Sequence, residues 1–406
     1  MNLFQKTVSL TSLALLLAGC AVVPDHKPLT ELQSQQAVVE GFPADIRFWA
    51  DEPPQGLNDV VAQSILSFKV TNDEYFRHYQ AYPPVSFLAL SGGGDNGAFG
   101  AGFLSGWTKA GTRPNFSLVT GVSTGALIAP LAFLGPANDE QIQDLFTKTK
   151  TDNIFLVDIW TFLSGLTGGL SLTDATPFVE RIQQTYTPEL LDQIAAEYRK
   201  GRRLFIGTTN IEAQRGVIWD MGEIAASSSP DRVALFQKII QASAAVPGVF
   251  APVFIDVTIG GKRYNEIHVD GGVTSQVFLY PLQMSRNTID NFRNCGIERN
   301  LYIIRNAKTA PEYQILRDPG LFSIGARTIE SLTKNNGVGD LYRLYLGAER
   351  DGASYHAVQI PPDFTETPKE AFDPVYMSKL FALGVQMGQE NGVWQTSPPG
   401  FDAAIQ

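Results

Sequence analysis

The chain has 406 residues, 44% of them hydrophobic and 18% charged, with a formal net charge of −10. That composition is globular and long enough to build one large or two modest domains. The acidic balance, uninterrupted by any Lys/Arg cluster, argues against nucleic acid as a partner; a neutral or zwitterionic lipid surface needs no basic patch and stays open.

Residues 1–19 read as a secretion signal. Lys6 supplies a short positive region, and the apolar run 8–18 is too short to span a bilayer as a mature helix. The run ends in Leu17-Ala18-Gly19-Cys20, small residues ahead of a cysteine, which resembles the lipobox of bacterial lipoproteins. The resemblance implies cleavage before Cys20 and a lipid on it. With no Asp right after the cysteine, it also implies anchoring in the cell envelope at an outer membrane, facing the periplasm. An ordinary secretory peptide ending near Cys20 is the other reading. Only Cys295 then remains, and one cysteine makes no internal disulfide. Residues 20–83 read as a tether followed by an N-terminal helical extension. The stretch is polar and proline-spaced to about Pro54, then takes helical spacing through Val61, Ile65 and Phe68 over 58–79.

A buried strand is expected at 85–90. It feeds Ser91-Gly92-Gly93-Gly94-Asp95-Asn96-Gly97 and a helix to about Lys109. Gly92, Gly94 and Gly97 match G-x-G-x-x-G, but a dinucleotide site needs an acid at the end of the next strand. That strand ends Val119-Thr120-Gly121, without one. No Gly-Lys-Ser/Thr follows either, so a P-loop is excluded. An anion cradle of backbone N–H groups remains, of the kind acyl transfer needs for a tetrahedral oxyanion. The next strand, 116–119, runs into Gly121-Val122-Ser123-Thr124-Gly125 and a helix over 124–134. A strand turning straight into a helix leaves no room for flanking side chains. Gly121 and Gly125 remove them, and Ser123 stands exposed at the helix N-terminus. A glycine-rich turn with a bystander serine is the plain alternative.

Helix is expected over 139–149. The apolar, glycine-punctuated run 153–172 reads as core between helices, with a mobile lipid-facing cover as the alternative. A long helix follows over 176–202, broken or offset by Pro188. Strands are expected at 203–211 and 215–220 as a hairpin, then a helix over 231–245. Strands 253–259 and 262–269 flank the Gly260-Gly261 turn and deliver Asp270-Gly271-Gly272. A strand at 300–305, a helix over 321–349 broken at Gly337-Val338-Gly339, a strand at 355–360 and a helix over 374–391 close the chain. This divides the chain into a catalytic domain at 84–290 and a C-terminal α/β extension at 291–406, packed on it.

A serine hydroxyl needs a neighbouring base to act as a nucleophile. The four histidines are His26, in the tether; His78, ahead of the sheet; His268; and His356. His268 shares a strand face with Asp270. His356 follows Ser123 and Asp270 in the Ser…Asp…His order of α/β-hydrolases, so a Ser123–Asp270–His356 triad is one reading. The other is a dyad in which a desolvated Asp270 takes the serine proton directly. The histidines and cysteines lack ligand spacing, so no metal or cofactor is implied.

Taken together, Gly92-Gly93-Gly94-Asp95-Asn96-Gly97, Gly121-Val122-Ser123-Thr124-Gly125 and Asp270-Gly271-Gly272 resemble the patatin-like phospholipase family. Ser243-Ala244-Ala245-Val246-Pro247 also looks like that family's pattern. The resemblance implies a three-layer α/β/α fold with a mostly parallel central sheet. It implies hydrolysis of phospholipid or other acyl-ester lipids through an acyl-enzyme. Ser123 would be the nucleophile and Asp270 the base, with the N–H groups of Gly92, Gly93 and Gly94 as the oxyanion hole. The family often places an Asn and then a Pro a few residues after Asp-Gly-Gly. This chain has Val273-Thr274-Ser275-Gln276-Val277, with Pro281 further on. A lipoprotein that keeps the fold as an envelope binding module, with little activity, is the reading from a different class.

Overall fold

The computed structural model describes residues 26–148, 175–281 and 283–401. The signal segment, Cys20 and the apolar run 153–172 lie outside the described residues. The strands are β1 (Val38–Val39), β2 (Arg47–Trp49), β3 (Val85–Leu90), β4 (Phe116–Val122), β5 (Arg203–Asn210), β6 (Arg215–Asp220), β7 (Val253–Ile259), β8 (Lys262–Asp270), β9 (Arg299–Arg305) and β10 (Ser354–Gln359).

All ten belong to one sheet. β10, β9, β3, β4 and β5 lie side by side and parallel. β6 on β5, β2 on β6, β8 on β5, β7 on β8 and β1 on β7 are all antiparallel. The mostly parallel sheet expected from the sequence is therefore parallel in only half of its strands. The reason is connection length. Residues 211–214 and Gly260-Gly261 are too short for a crossover, so β5–β6 and β7–β8 return as hairpins.

Side-chain alternation along the parallel strands sets the layers. Leu88 and Leu90 of β3 point into a large core with helices Gly97–Lys109, Thr124–Leu134, Arg232–Ser243 and Pro374–Gln389. Ala89, between them, points the other way, into a second core with Leu301 and Ile303 of β9 and Leu341, Leu344 and Ala348 of helix Leu321–Asp351. The result is helix, sheet and helix. Helix Thr124–Leu134 is apolar nearly all round and buried along almost its whole length, as a helix enclosed by core must be.

Three expectations change. The tether contributes β1 and β2, too short to show any alternation in sequence. Helix Leu321–Asp351 runs unbroken through Gly337-Val338-Gly339. A Cβ at Gly337 would collide with the guanidinium of Arg305, so that glycine serves close packing and not a break. β9 and β10, from the stretch expected as an extension, are hydrogen-bonded members of the same sheet as β3. Among the described residues no helix is long and apolar enough to cross a membrane.

The register along β5 positions the ends of β4 and β8. β6 occupies one edge of β5 from Phe205 to Asn210. β4 bonds to the opposite edge and ends with Val122 facing Gly207. β8 takes over that same edge at the next residue, with Asp270 facing Thr208, Val269 facing Thr209 and His268 facing Asn210. Because β4 is parallel and β8 antiparallel to β5, their carboxyl ends meet head-on.

Candidate active site

Ser123 follows the last residue of β4 and opens helix Thr124–Leu134. Its backbone is held at φ +54°, ψ −124°, a conformation that L-residues rarely adopt outside sites that need it. The surroundings enforce it. A Cβ at Gly125 would collide with the Leu90 carbonyl, and one at Gly121 with the backbone of Gly125. The first helical turn is thus pressed against the end of β3, and the chain has one way round.

Asp270 ends β8 on the facing side. Ser123 Oγ donates to Asp270 Oδ2 at 2.6 Å, and Gly272 N–H donates to Asp270 Oδ1 at 2.7 Å. The two residues are 6% and 5% exposed, so this hydrogen bond sits in a poorly hydrated site. Burial pushes the Asp270 carboxyl up to about 6, against the opposing pull of the hydrogen bonds from Ser123 and Gly272. Segment 243–245 braces both groups. Ser123 N–H donates to Ser243 Oγ at 3.0 Å, the Ser243 hydroxyl donates to the Gly207 carbonyl at 2.6 Å, and Asp270 N–H donates to the Ala245 carbonyl at 2.9 Å. Gly271 fits into the same junction: a Cβ there would collide with the Gly207 carbonyl.

The glycine loop lies against the serine. A Cβ at Gly92 would sit 3.1 Å from the Ser123 Cβ. The expected role of Gly92 as an oxyanion donor needs correction, because its N–H donates to the Gln276 carbonyl at 3.0 Å. The N–H groups of Gly93 and Gly94 have no hydrogen-bond partner among the described residues, and Gly94 takes φ +59°. Asn306, just past β9, clamps this loop from behind. Its N–H donates to Ser91 Oγ at 2.8 Å, its Nδ2 donates to the Ser91 carbonyl at 2.9 Å, and its Oδ1 accepts from Gly100 N–H at 3.0 Å. Gly97 lets helix Gly97–Lys109 start beside Thr124, whose Oγ1 a Cβ would strike.

No histidine is hydrogen-bonded to Ser123 or Asp270 among the described residues. His268 is fully buried, with Nε2 3.1 Å from Glu266 Oε2 and Nδ1 2.9 Å from Thr208 Oγ1. The carboxylate fixes the Nε2–H tautomer, and Nδ1 accepts from the threonine. His356 pairs in register with Tyr302 of β9, stacks on that ring and faces Asn300 Oδ1 at 3.3 Å. Two strands, β9 and β3, lie between its strand and the one that delivers Ser123, so the Ser123–Asp270–His356 triad is not assembled. His26 bonds Asn265 and Glu212, and His78 packs on Tyr79. Among the described residues no group of three or more His, Cys, Asp or Glu is placed to hold a metal ion.

Residues 88–282 match the family model described as patatin-like phospholipase. The chain carries a patatin-like domain. That assignment supports lipid acyl hydrolysis as its general activity, with lipids as the substrate class. No curated relative matches the chain. Among solved structures, the crystal structure of VipD from Legionella pneumophila aligns with 78% of this chain and 68% of that one, at 12% identity and a TM-score of 0.38. The patatin-like domain contains Ser123, Asp270 and the glycine loop, and ends before Asn306. Sequence reasoning overlooked Ser243 and Asn306 as site residues. Ser243 opens the Ser-Ala-Ala-Val-Pro segment already singled out, whereas Asn306 carries no local signal at all.

Proposed function

We propose that the protein is a serine-dependent lipid acyl hydrolase of the phospholipase A or lysophospholipase type, working through Ser123 and Asp270. Asp270 takes the Ser123 proton as Oγ attacks the acyl carbonyl. The developing oxyanion is met by the N–H groups of Gly93 and Gly94, together with the N-terminus of helix Thr124–Leu134. Collapse of the tetrahedral intermediate breaks the ester bond. Asp270 returns the proton to the departing alcohol, and the acyl group stays on Ser123. Asp270 then deprotonates a water that attacks the acyl-enzyme, and the serine leaves with its proton restored. The observation that carries this reading is the 2.6 Å hydrogen bond between a strained serine and a buried carboxylate whose pKa is raised toward neutrality. A base poised near the working pH is what the first step asks for.

We also propose that the protein acts from a membrane, anchored by a lipid on Cys20 in a bacterial envelope. Support comes from the sequence alone, through the Leu17-Ala18-Gly19-Cys20 motif. Vesicle hydrolysis tests the chemistry. Phosphatidylcholine, phosphatidylethanolamine, phosphatidylglycerol and their lyso forms are each offered to the wild type and to Ser123→Ala. Release of fatty acid by the first and not the second is expected, together with fluorophosphonate labelling at Ser123. A folded wild type that releases no fatty acid and takes no label leaves the envelope binding module in its place. Recovery of Cys20→Ala in the soluble fraction, with wild type in the membrane fraction, tests the anchor.

A further inference from the structure

The segment after Asp270, where the sequence departs from the family pattern, is a strap between two halves of the site. At one end, Thr274 N–H and Ser275 N–H donate back to the Gly271 carbonyl, at 3.1 and 3.0 Å. Gln276 then reaches both ways. Its Nε2 donates to the Gly272 carbonyl at 2.8 Å, while its backbone carbonyl accepts the Gly92 N–H at 3.0 Å. One residue therefore touches the turn that holds Asp270 and the loop that carries Gly93 and Gly94. The strap is itself held from below. Asp340, in helix Leu321–Asp351, accepts the Gln276 N–H on Oδ2 at 2.7 Å and the Val277 N–H on the same oxygen at 3.4 Å. Its Oδ1 accepts from Arg343 Nη1 at 2.7 Å, which orients the carboxylate. Asp340 is 1% exposed, and its hydrogen bonds run to Gln276, Val277 and Arg343, not to Ser123 or Asp270.

We propose that Asp340 is a positioning residue for the Ser123 site: its carboxylate fixes the strap that keeps the Gly93–Gly94 donors in register with the serine and Asp270. The proposal rests on the acyl-hydrolase reading above. The physical logic is that an oxyanion hole acts through geometry set before the reaction, and its donors must face where the anion forms. Asn306 holds the glycine loop on one side, at Ser91 and Gly100, and the strap holds it on the other, as the partner of the Gly92 N–H. A charged acceptor shared by two successive N–H groups is a stronger clamp than a neutral one. Asp340 lies outside the matched residues 88–282. Part of what shapes this site is thus supplied by a helix beyond the patatin-like domain.

The test uses the full chain, with p-nitrophenyl butyrate as probe and fluorophosphonate titration to count active sites. Asp340→Ala is expected to lower kcat per titrated site roughly tenfold to a hundredfold, the scale of a small misplacement of catalytic groups, with KM within about twofold. Asp340→Asn, which keeps one acceptor oxygen, is expected to recover part of the loss. A merely structural role would instead lower the titrated fraction and leave turnover per site at the wild-type value; that result overturns the proposal. Amide exchange gives a readout independent of turnover, and it carries the test if Asp340→Ala does not fold. Faster exchange at Gly92 and Gln276 in Asp340→Asn supports the clamp, and unchanged exchange at both refutes it. An inert wild type would sink the acyl-hydrolase reading by itself, while the exchange experiment still decides whether Asp340 holds the strap.

Discussion

Asp270 is where charge, burial and chemistry meet, and its raised pKa has two consequences of opposite sign. In the proposed mechanism the base is the ionised carboxylate, so kcat/KM is expected to rise with pH through about 6 and level off above it. Stability runs the other way. The folded-state value lies above the ordinary 3.8, so the native state holds this proton more tightly than the unfolded chain does. That contribution is complete below pH 3.8 and is lost as pH rises to about 6. Asp270→Asn is therefore expected to abolish turnover and, at pH 8, to stabilise the fold by roughly 2 to 3 kcal/mol, read by denaturant melts. Turnover near wild type would remove Asp270 from the mechanism. The serine and aspartate were legible in the sequence because each sits in a short motif with its own glycines. Ser243, Asn306 and Asp340 were not. Each is a single polar residue whose partner lies 120, 206 or 64 positions away, and no local pattern announces such a pairing.

At the scale of elements, the strand-to-helix turns behave as rigid joints, and two glycines of similar sequence context should respond differently. Gly125→Ala places a methyl group against the Leu90 carbonyl of β3, and backbone cannot yield as a side chain tip does. A loss of more than about 4 kcal/mol, or failure to fold, is expected. Gly94→Ala meets open space but keeps φ +59°, so only the left-handed penalty of about 1–2 kcal/mol applies. Thermal melts of the two variants separate the cases, and equal losses would contradict the packing described for the first turn of helix Thr124–Leu134. The elements with strong periodicity were readable nearly to the residue. The supposed break at Gly337-Val338-Gly339 was misleading because a glycine needed for contact with Arg305 looks, locally, the same as one that ends a helix.

For the molecule as a whole, residues 84–290 do not close a core. β9 fills the edge of β3, and the second core draws Leu301, Ile303, Leu341 and Leu344 from beyond residue 290. Helix Gly97–Lys109 also packs on helix Pro374–Gln389, where a Cβ at Gly102 or Gly106 would strike backbone. A fragment of 84–290 would present a bare strand edge and two stripped apolar faces. It is expected to be insoluble or molten when expressed alone, whereas the full chain is expected to fold. Sedimentation and near-UV circular dichroism distinguish the outcomes. The division into catalytic domain and extension drawn from motifs reflects where motifs end; burial sets a later limit, and motif reading carries no information about burial.

The shared edge of β5 makes that strand a ruler. Ser123 and Asp270 are 147 positions apart in the chain, yet their separation in space is set by two neighbouring residues, Gly207 and Thr208. Apart from β5 itself and the bracing segment 243–245, the length of chain between them is slack. Added length at the tip of the β7–β8 hairpin, by a Gly-Ser pair after Gly261, should leave hydrolysis intact, while a single residue inserted into β8 after Val269 should destroy it by sliding the carboxylate off its mark. A chain built this way can change the length of its hairpin tips without moving the two oxygens whose hydrogen bond the proposed chemistry rests on.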